Sequence, residues 1–403
     1  MAAATTSRWD AVVVGARVAG AATALLLARG GLRVLVVDRA RRGSDTLSTH
    51  ALMRPAVLSL ERLGVYDALV AAGTPAIRGV DFVYGDDVET VDLARSGALL
   101  APRRTLLDRV LADAAAAAGA CVRYGVTVDD VIRDGTGRVS GVVGRDSTGR
   151  PVSARAPLVI GADGARSRIA RRVGAAVTAR GSAAGGVVYR YVPTAVLARA
   201  GVAGDRYRWC YRPGSGAGVI PTGRGRSCVW AGASRERVLA ALRRGTGHAF
   251  AALLAATAPD LAAALAADAV GYPGTRGDDR VRAFPGAPAL VRQPHGPGWA
   301  LVGDAGLYRD PISSHGISDA LRDAQLLAAA VLGADGRRAL DGALGDYHAA
   351  RDAVAAPVLA ATEAVAAFDW DLPALREHLL ALSAALKAET TFVSRLDPLP
   401  RAA

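Results

Sequence analysis

Cysteine and lysine are scarce in this chain of 403 residues. The three cysteines, Cys121, Cys210 and Cys228, are odd in number and lack the spacing of metal ligands. We therefore predict no metal site, and the free thiols fit a reducing cytoplasm. Lys387 is the only lysine, so the net charge of +12 comes from arginines that are scattered without a long basic run. Scattered arginine is typical of a solvated surface, and we predict no nucleic-acid partner.

Long apolar runs are also missing. The alanine-rich stretches carry charges throughout, so none has the length and character of a membrane span. Met1 to Ser7 is too short for a signal peptide, and a cytoplasmic location is predicted. No internal repeat or low-complexity linker interrupts the chain. A hydrophobic content of 51% with alternating strand and helix patterns indicates a globular α/β protein of more than one domain.

The first forty residues contain the most specific pattern. A short apolar strand precedes a glycine turn, an alanine-rich helix and a second apolar strand, which we place at Ala11–Val14, Gly15–Gly20, Ala21–Arg29 and Arg33–Val37. Asp38 follows at the tip of the second strand. This arrangement predicts a unit that binds the ADP half of FAD or NAD, with the pyrophosphate at the helix start and Asp38 on the ribose.

Arg17 departs from this pattern, because the middle position of the turn is usually glycine. A guanidinium pairs with phosphate oxygens through two hydrogen bonds. We therefore expect Arg17 to lie along the pyrophosphate rather than to abolish binding.

Two more turns of glycine and aspartate follow apolar strands later in the chain. Gly161-Ala162-Asp163-Gly164 follows Leu158–Ile160, and Gly303-Asp304 follows Trp299–Val302. Between the turn at Gly15–Gly20 and the turn at Gly161–Gly164, three strands are predicted to form a meander: Val122–Val126, Val128–Arg133 and Val139–Arg145. Other helices are predicted at 54–63, 102–119, about 319–332 and from Gly345 onwards, and a helical stretch at 236–267 is predicted to be interrupted by Gly245 and Gly247.

The region from Gly185 to Ala231 has the alternation of antiparallel strands. Tyr189 and Tyr191 share one face. Tyr207, Trp209 and Tyr211 also share a face, opposite a set of arginines. Such an aromatic face can be sheet core or the wall of a pocket for a flat apolar ligand, and the sequence favours neither.

These three ordered patterns, with Pro311 and Gly316 after the last, resemble those of the para-hydroxybenzoate hydroxylase-like superfamily of FAD-dependent monooxygenases and oxidoreductases. The resemblance covers Asp10 to about Leu332. It implies a Rossmann-like FAD-binding domain with an inserted antiparallel β-sheet substrate domain and a C-terminal helical region. We assign the FAD domain to residues 1–78, 98–182 and 288–340, the substrate domain to 79–97 and 183–287, and the helical region to 341–403.

The resemblance also implies which residues hold a non-covalent FAD. Asp304 corresponds to the aspartate on the ribityl chain, and Arg104 to the arginine of the Arg-x-x-Leu-Asp helix start. The helix start at Gly316 would face the flavin edge where negative charge develops on reduction. The full predicted FAD-binding set is Gly15, Arg17, Gly20, Asp38, Arg39, Arg104, Asp163, Gly164, Gly303, Asp304, Pro311, Gly316 and Ile317.

Two histidines are candidates for catalysis. His315 stands where members of the family commonly have glutamine. Its side chain either tunes the reduction or oxygen chemistry of the flavin, or only the backbone of this residue contacts the flavin. We favour the backbone contact. His50, in the segment expected to approach the flavin ring, is the better candidate for proton transfer or substrate contact. Tyr189, Trp209 and Tyr211 are the predicted substrate residues.

The implied reaction is that of a monooxygenase. NAD(P)H would reduce FAD, O2 would form a C4a-hydroperoxide, and a small aromatic or polycyclic organic substrate would be oxidised. The alternatives are a reductase or oxidase of the same fold, such as a prenyl reductase, a halogenase, or a flavin-binding protein without turnover. The halogenase is disfavoured because its reaction requires a lysine in the site and a Trp-x-Trp-x-Ile-Pro motif, which this chain lacks. The choice between NADH and NADPH, and the oligomeric state, stay open.

Overall fold

The computed structural model describes residues 9–267 and 280–398. The predictions about a signal peptide and the parts of the predicted domains at 1–8, 268–279 and 399–403 lie outside the described residues.

The strands of the described residues are, in chain order, β1 (Ala11–Val14), β2 (Val34–Asp38), β3 (Ala76–Ile77), β4 (Gly79–Tyr84), β5 (Asp87–Asp92), β6 (Leu99–Leu100), β7 (Cys121–Tyr124), β8 (Thr127–Arg133), β9 (Val139–Arg145), β10 (Pro151–Arg155), β11 (Leu158–Gly161), β12 (Val177–Arg180), β13 (Gly185–Pro193), β14 (Arg206–Arg212), β15 (Ser215–Pro221), β16 (Arg226–Ser234), β17 (Arg282–Phe284), β18 (Leu290–Arg292), β19 (His295–Gly296), β20 (Trp299–Leu301) and β21 (Leu307–Tyr308). The helices are α1 (Val18–Arg29), α2 (Arg54–Arg62), α3 (Tyr66–Ala71), α4 (Arg104–Ala117), α5 (Arg168–Val173), α6 (Thr194–Leu197), α7 (Arg235–Leu242), α8 (Thr246–Thr257), α9 (Pro259–Ala267), α10 (Gly316–Leu332), α11 (Gly336–Ala366) and α12 (Leu372–Ser394).

A parallel sheet carries the three glycine turns. Its strand order is β19–β20–β11–β1–β2–β7, and β19 pairs antiparallel at one edge. Successive residues of β1 face opposite sides, so Ala11 and Val13 pack under α1, α4 and α10, whereas Val12 and Val14 pack against the small sheet of β8, β9 and β10. Because both faces are covered, these strands are continuous apolar runs, as the sequence predicted.

The predicted meander is wrong in one strand. Cys121–Tyr124 does not join it but pairs in parallel with β2 at the edge of the large sheet, while Pro151–Arg155 supplies the third meander strand. The pattern was ambiguous because β7 and β8 are separated only by Gly125 and Val126, a turn as short as a hairpin connection.

Glycines account for the other boundary differences. Helix α1 begins at Val18, three residues earlier than predicted, because Gly20 lies inside it. Helix α10 begins at Gly316, which confirms the helix start that the resemblance placed there and corrects the start at about 319. The helical stretch predicted over 236–267 with interruptions at Gly245 and Gly247 is three helices, and only the interruption at Gly245 is confirmed. It breaks at Gly245 and at Ala258-Pro259, whereas Gly247 lies within α8.

A second sheet has the order β17–β13–β16–β15–β14–β4–β5, antiparallel except for β4 beside β14. All its strands come from residues 79–92 and 185–284, the stretches assigned to the substrate domain. One face is covered by α7, α8 and α9 and contains Cys210. The other face carries the predicted aromatic residues and packs against Ala51, Ile312 and the segment around Trp370. The division into domains remains a prediction, and the boundary placed after residue 340 falls inside α11.

Candidate functional site

The three glycine turns meet at the carboxyl ends of β1, β11 and β20. Gly15 has a φ of +112°, and a Cβ there would collide with the carbonyl oxygen of Ala162. A Cβ on Gly303 would lie 3.0 Å from the Cβ of Ala19. Parallel strands place their carboxyl ends at one edge, so three separate stretches of sequence form one continuous surface there.

Asp38 lies at the wall of a cleft beside this edge. Its two carboxylate oxygens accept hydrogen bonds from the backbone N–H groups of Ala16 and Ala40, each at 2.7 Å. A carboxylate has about four acceptor positions, so capacity is left for ribose hydroxyls. Arg39, its predicted companion, is exposed, whereas Ala40 and Arg41 line the cleft.

Arg17 also lines the cleft, at the N-cap of α1. Its guanidinium donates to the Thr46 hydroxyl at 2.9 Å and to the Asp45 carbonyl at 3.4 Å. Asp108 lies 4.0 Å from its Nε. The side chain is 40% exposed, so it is held beside the helix start while its charge still faces the cleft.

Arg104 begins α4 and donates to both carboxylate oxygens of Asp108, at 3.0 to 3.2 Å. Burial raises the pKa of Asp108, and the arginine opposes that shift. Burial raises the pKa of Asp304 and the charge of Arg104 opposes that rise, so the predicted Arg104 and Asp304 share one electrostatic environment.

Both carboxylate oxygens of Asp163 accept hydrogen bonds from the residues that follow its turn. One oxygen accepts from the Ser167 hydroxyl at 2.5 Å, and the other accepts from the backbone N–H groups of Arg168 at 2.6 Å and Ile169 at 3.2 Å. Asp163 therefore fixes the start of α5, with Gly164 in the turn between. A direct role for either residue in cofactor binding stays a prediction.

Asp304 faces the start of α10. Its Oδ1 lies 3.6 Å from the position that a Cβ of Gly316 would occupy. Burial raises its pKa to about 6, with Asp319 adding to the shift and Arg104 and Arg309 opposing it. The first N–H groups of a helix have no partner within the helix, and they favour an anionic or hydrogen-bonding ligand. Gly316 and Ile317 supply such groups at α10.

The segment between Asp304 and Gly316 is fastened by Asp310. Its carboxylate accepts from the N–H of Ile312 at 2.9 Å, just after Pro311, and from the N–H of Gly185 at 2.7 Å. The loop over 311–315 is thus tied directly to the first residue of β13. The sequence prediction missed Asp310, although its place directly before Pro311 is typical of a residue that caps a turn.

His315 does not present its side chain to the surface. The imidazole is 0% exposed, and its Nε2 lies 2.6 Å from Glu389 on α12. Glu389 and Asp319 could hold a metal ion together with His315 on geometry alone. Both carboxylates, however, are already paired with guanidinium groups, Arg309 and Arg322, so the cluster is an ion-pair network.

His50 has a left-handed backbone, with φ +75°, and a buried ring. Its Nε2 makes a short contact with the Tyr191 hydroxyl. Burial, followed by the charges of Arg103, Arg104 and Arg282, lowers the pKa of His50 well below its usual range. His50 is therefore neutral at pH 7, and the direction of its hydrogen bond with the Tyr191 hydroxyl is set by which ring nitrogen carries the proton.

Tyr191 is a residue that the site prediction omitted, although the alternation of β13 places it on the face of Tyr189. Burial strongly raises the pKa of its phenol. The guanidinium carbon of Arg103 lies 3.7 Å from the ring centre. Tyr189 holds the loop that contains Ser48 and His50, since its hydroxyl accepts a hydrogen bond from the N–H of Ser48 at 3.0 Å.

The aromatic face is closed in this structure. Tyr189, Trp209 and Tyr211 are 2 to 6% exposed, and Tyr207 donates to the carbonyl of Leu100 at 2.7 Å. The same cluster contains Ile312 from the loop and Phe368 and Trp370 from the C-terminal segment. The face is thus a core that borders the candidate site, and its role in substrate binding stays a prediction.

These residues fit FAD. The missing Cβ atoms at Gly15 and Gly303 allow the turns to pack closely, and Asp38 retains acceptor capacity. In the first turn of α10, the buried hydroxyl of Ser318 has no hydrogen-bond partner among the described residues. The cleft, the two helix starts and the two aspartates therefore offer the donors and acceptors that a dinucleotide with a sugar chain requires.

Comparison with known proteins agrees with this fit. Residues 8–362 match the family model described as an FAD-binding domain. The chain therefore belongs to the FAD-binding domain family, and FAD is its cofactor. Its class is that of the FAD-binding flavoproteins.

Relatives in sequence include the menaquinone reductase of Mycolicibacterium smegmatis, 38% identical over 173 residues, which are 42% of this chain and 40% of that protein. Protein FixC of Escherichia coli K12 is 33% identical over 180 residues, 42% of this chain and 39% of that protein. The chain thus spans about two fifths of the length of the curated relatives it matches.

Solved structures share the fold. PqsL from Pseudomonas aeruginosa, in complex with 2-aminobenzoylacetate, has a TM-score of 0.73 at 22% identity, covering 94% of this chain and all of that one. The flavin-dependent brominase Bmp2 has a TM-score of 0.75 at 18% identity, covering 97% and 95%. Among the described residues, no helix is long and apolar enough to cross a membrane.

Proposed function

We propose that this flavoprotein is a monooxygenase that uses NAD(P)H and O2 to oxidise a small aromatic or polycyclic organic molecule. The observation that carries the proposal is the aromatic face of the second sheet, which shares one apolar cluster with Ile312. Ile312 belongs to the loop over 311–315, which we call the flavin loop. A flat apolar substrate would be bound between such a wall and the flavin. The aromatic ligand of PqsL, a protein of the same fold, is consistent with this class of substrate.

The bound FAD would supply the redox chemistry, transferring electrons from NAD(P)H to O2. The chain would supply binding and proton handling. Asp38 and Arg17 would hold the ADP end, and Asp304 with the first turn of α10 would hold the ribityl and ring end. The apolar cluster excludes water, which protects oxygen transfer from loss of peroxide. Because the reaction consumes NAD(P)H, the proposal places it in the cytoplasm.

His50 and Tyr191 would handle the proton of the substrate. In the tautomer that carries its proton on Nδ1, the neutral His50 would accept from Tyr191 at Nε2, and the Tyr191 hydroxyl stays protonated because burial raises its pKa. A phenolic substrate next to the tyrosine would hydrogen-bond to that hydroxyl, and the pair would polarise the O–H bond of the substrate and make its ring more electron-rich. His50 and Tyr191 act as a pair in this proposal, and neither needs to contact the cofactor.

A reductase is the second candidate, and the menaquinone reductase relative is the observation that favours it. The two reactions differ in the atoms that the product gains. With 18O2, a monooxygenase product carries one labelled oxygen, whereas a reductase product gains two hydrogens and no label. We expect NAD(P)H oxidation that a phenolic or polycyclic compound stimulates, with the label in the product. A halogenase is not proposed, because the only lysine, Lys387, is exposed on α12.

The His50–Tyr191 pair is tested by replacing each residue separately. His50→Ala and Tyr191→Phe should retain FAD but slow substrate-stimulated NAD(P)H oxidation, or divert it to hydrogen peroxide. His248→Ala is the matched control, since His248 lies on α8 behind the sheet. Rates and coupling equal to the parent in both variants would reduce the pair to a structural contact. The FAD assignment would survive that result.

A further inference from the structure

A buried ionic network joins the flavin loop to α12, a helix that lies beyond the family match at 8–362. We call it the Glu389 network. Its five side chains are at most 1% exposed, and they are His315, Asp319, Arg322, Asp323 and Glu389. Charged groups are rarely so buried without partners, because leaving water costs each of them several kcal/mol.

Glu389 has two donors, one for each oxygen. His315 Nε2 lies 2.6 Å from Oε2, and Arg322 lies 2.9 Å from Oε1. Burial acts to raise the pKa of Glu389, but His315 and Arg322 outweigh it, and the pKa falls to about 2. Glu389 is therefore an ionised carboxylate that holds both neighbours.

Arg322 extends the network to the third glycine turn. Its guanidinium also donates to Asp319 at 2.7 Å and to Asp323 at 2.8 Å. Asp323 in turn accepts from the N–H of Gly303 at 3.1 Å. A continuous path of hydrogen bonds thus runs from His315, directly before α10, to Gly303, directly before Asp304.

The two ends of this path bracket the surface formed by Asp304 and Gly316. A helix start stabilises negative charge only over a short distance, within about its first turn. Its effect on a ligand therefore depends on where the first turn is held. In this chain Glu389, on α12, holds the first turn of α10 through His315 and Arg322.

We propose that Glu389 is a positioning residue of the FAD site, which fixes His315 and the start of α10 and thereby favours the reduced, negatively charged flavin. The proposal adds a residue from outside the matched segment to this site. It rests on FAD binding and not on the monooxygenase reaction, so its failure would leave the proposed reaction untouched.

The test compares the affinities of the protein for oxidised and reduced FAD, which together give the shift in reduction potential. Glu389→Gln keeps the shape of the side chain, but an amide can accept from only one of the two donors, because its other end is an NH2 group. His315→Leu removes the other half of the contact and leaves the pair of Glu389 with Arg322. Glu377→Gln, an exposed position on the same helix, is the control.

We expect Glu389→Gln to weaken binding of reduced FAD relative to oxidised FAD by about tenfold, equivalent to about 30 mV for a two-electron couple. His315→Leu should give a similar shift, and the double variant should show no further shift, because the two residues act as one unit. Glu377→Gln should equal the parent.

Three results would overturn the proposal. One is a lower melting temperature in Glu389→Gln with an unchanged affinity ratio, which is what a merely structural helix contact would give. Another is an additive shift in the double variant. If Glu389→Gln does not fold, His315→Leu alone decides, since an unchanged ratio in that variant removes the link between the helix and the flavin.

Discussion

Asp38 is the last residue of β2 and Asp304 is the third residue after β20, yet the carboxylates of these two strand ends are in different surroundings. Asp38 accepts two backbone N–H groups beside an open cleft. Asp304 lies in a crowded site where burial and Asp319 raise its pKa to about 6. We infer that Asp38 serves as a fixed acceptor, whereas the charge of Asp304 depends on what binds beside it.

Replacing Asp38 with alanine should weaken FAD binding by about 1–3 kcal/mol, or roughly 5- to 150-fold in Kd, because charge-assisted hydrogen bonds to the ribose are lost. Isothermal titration of the apo-protein with FAD measures this loss. Asp10→Ala is the matched control, because Asp10 precedes the opposite end of β1 and pairs with Arg33. Equal affinity in Asp38→Ala and the parent would mean that the adenosine end lies elsewhere.

At this scale the sequence predicted positions better than partners. The glycine turn indicated Asp38 and the family resemblance indicated Asp304, and both lie at the carboxyl ends of parallel strands, while their contacts with FAD stay predictions. The partner of His50 is 141 residues away and that of His315 is 74 residues away. A single sequence does not state which distant side chains meet, so Tyr191 and Glu389 were missed. For the same reason the sequence did not show that His315 points into a buried network.

At the scale of elements, buried strands and amphipathic helices were predicted well because their periodicity is local. Errors occurred where glycine serves packing rather than a turn. Gly20 lies inside α1, and this position requires glycine because a Cβ there would collide with the carbonyl oxygen of Gly15. The edge strand β7 was misassigned because its sequence does not distinguish a parallel partner in the large sheet from an antiparallel neighbour in the meander.

The contact between the third turn and α1 gives a prediction at this scale. Gly303 has a φ of +57°, and an added Cβ would lie 3.0 Å from Ala19 and 3.3 Å from Ala320. Gly303→Ala should therefore destabilise the apo-protein by about 1–3 kcal/mol, through both backbone strain and crowding. Chemical denaturation measures the change. In Gly174→Ala, where φ is +72° and the space is open, only the strain applies. A Gly303→Ala loss no larger than that of Gly174→Ala would argue against close packing of the turn.

At the scale of the whole molecule, the two large sheets are joined beside the candidate site by a small number of buried polar links. Asp310 is one of them, since it connects the flavin loop at Ile312 with β13 at Gly185. The Glu389 network connects the same loop with α12. No pattern in the sequence indicated these links, because they exist only once both sheets are in place. They make the loop over 311–315 a junction of three parts of the chain.

Asp310 should therefore make stability depend on pH in a direction that can be tested. Burial raises its pKa from 3.8 to about 7, while the N–H groups of Ile312 and Gly185 oppose the shift. Between these two values the folded protein binds more protons than the unfolded chain, so the free energy of unfolding falls as pH rises, by up to about 1.4 kcal/mol per pH unit.

Asp310→Asn does not titrate at this position. Urea denaturation of both apo-proteins from about pH 5 to 8 should show the stability of the parent falling relative to the variant up to about pH 7 and then levelling. The opposite contribution of His50, whose pKa is lowered, cancels in this difference because both proteins contain it. A difference that stays constant across the range would show that Asp310 is ionised throughout, and its two N–H bonds would then have to outweigh its burial.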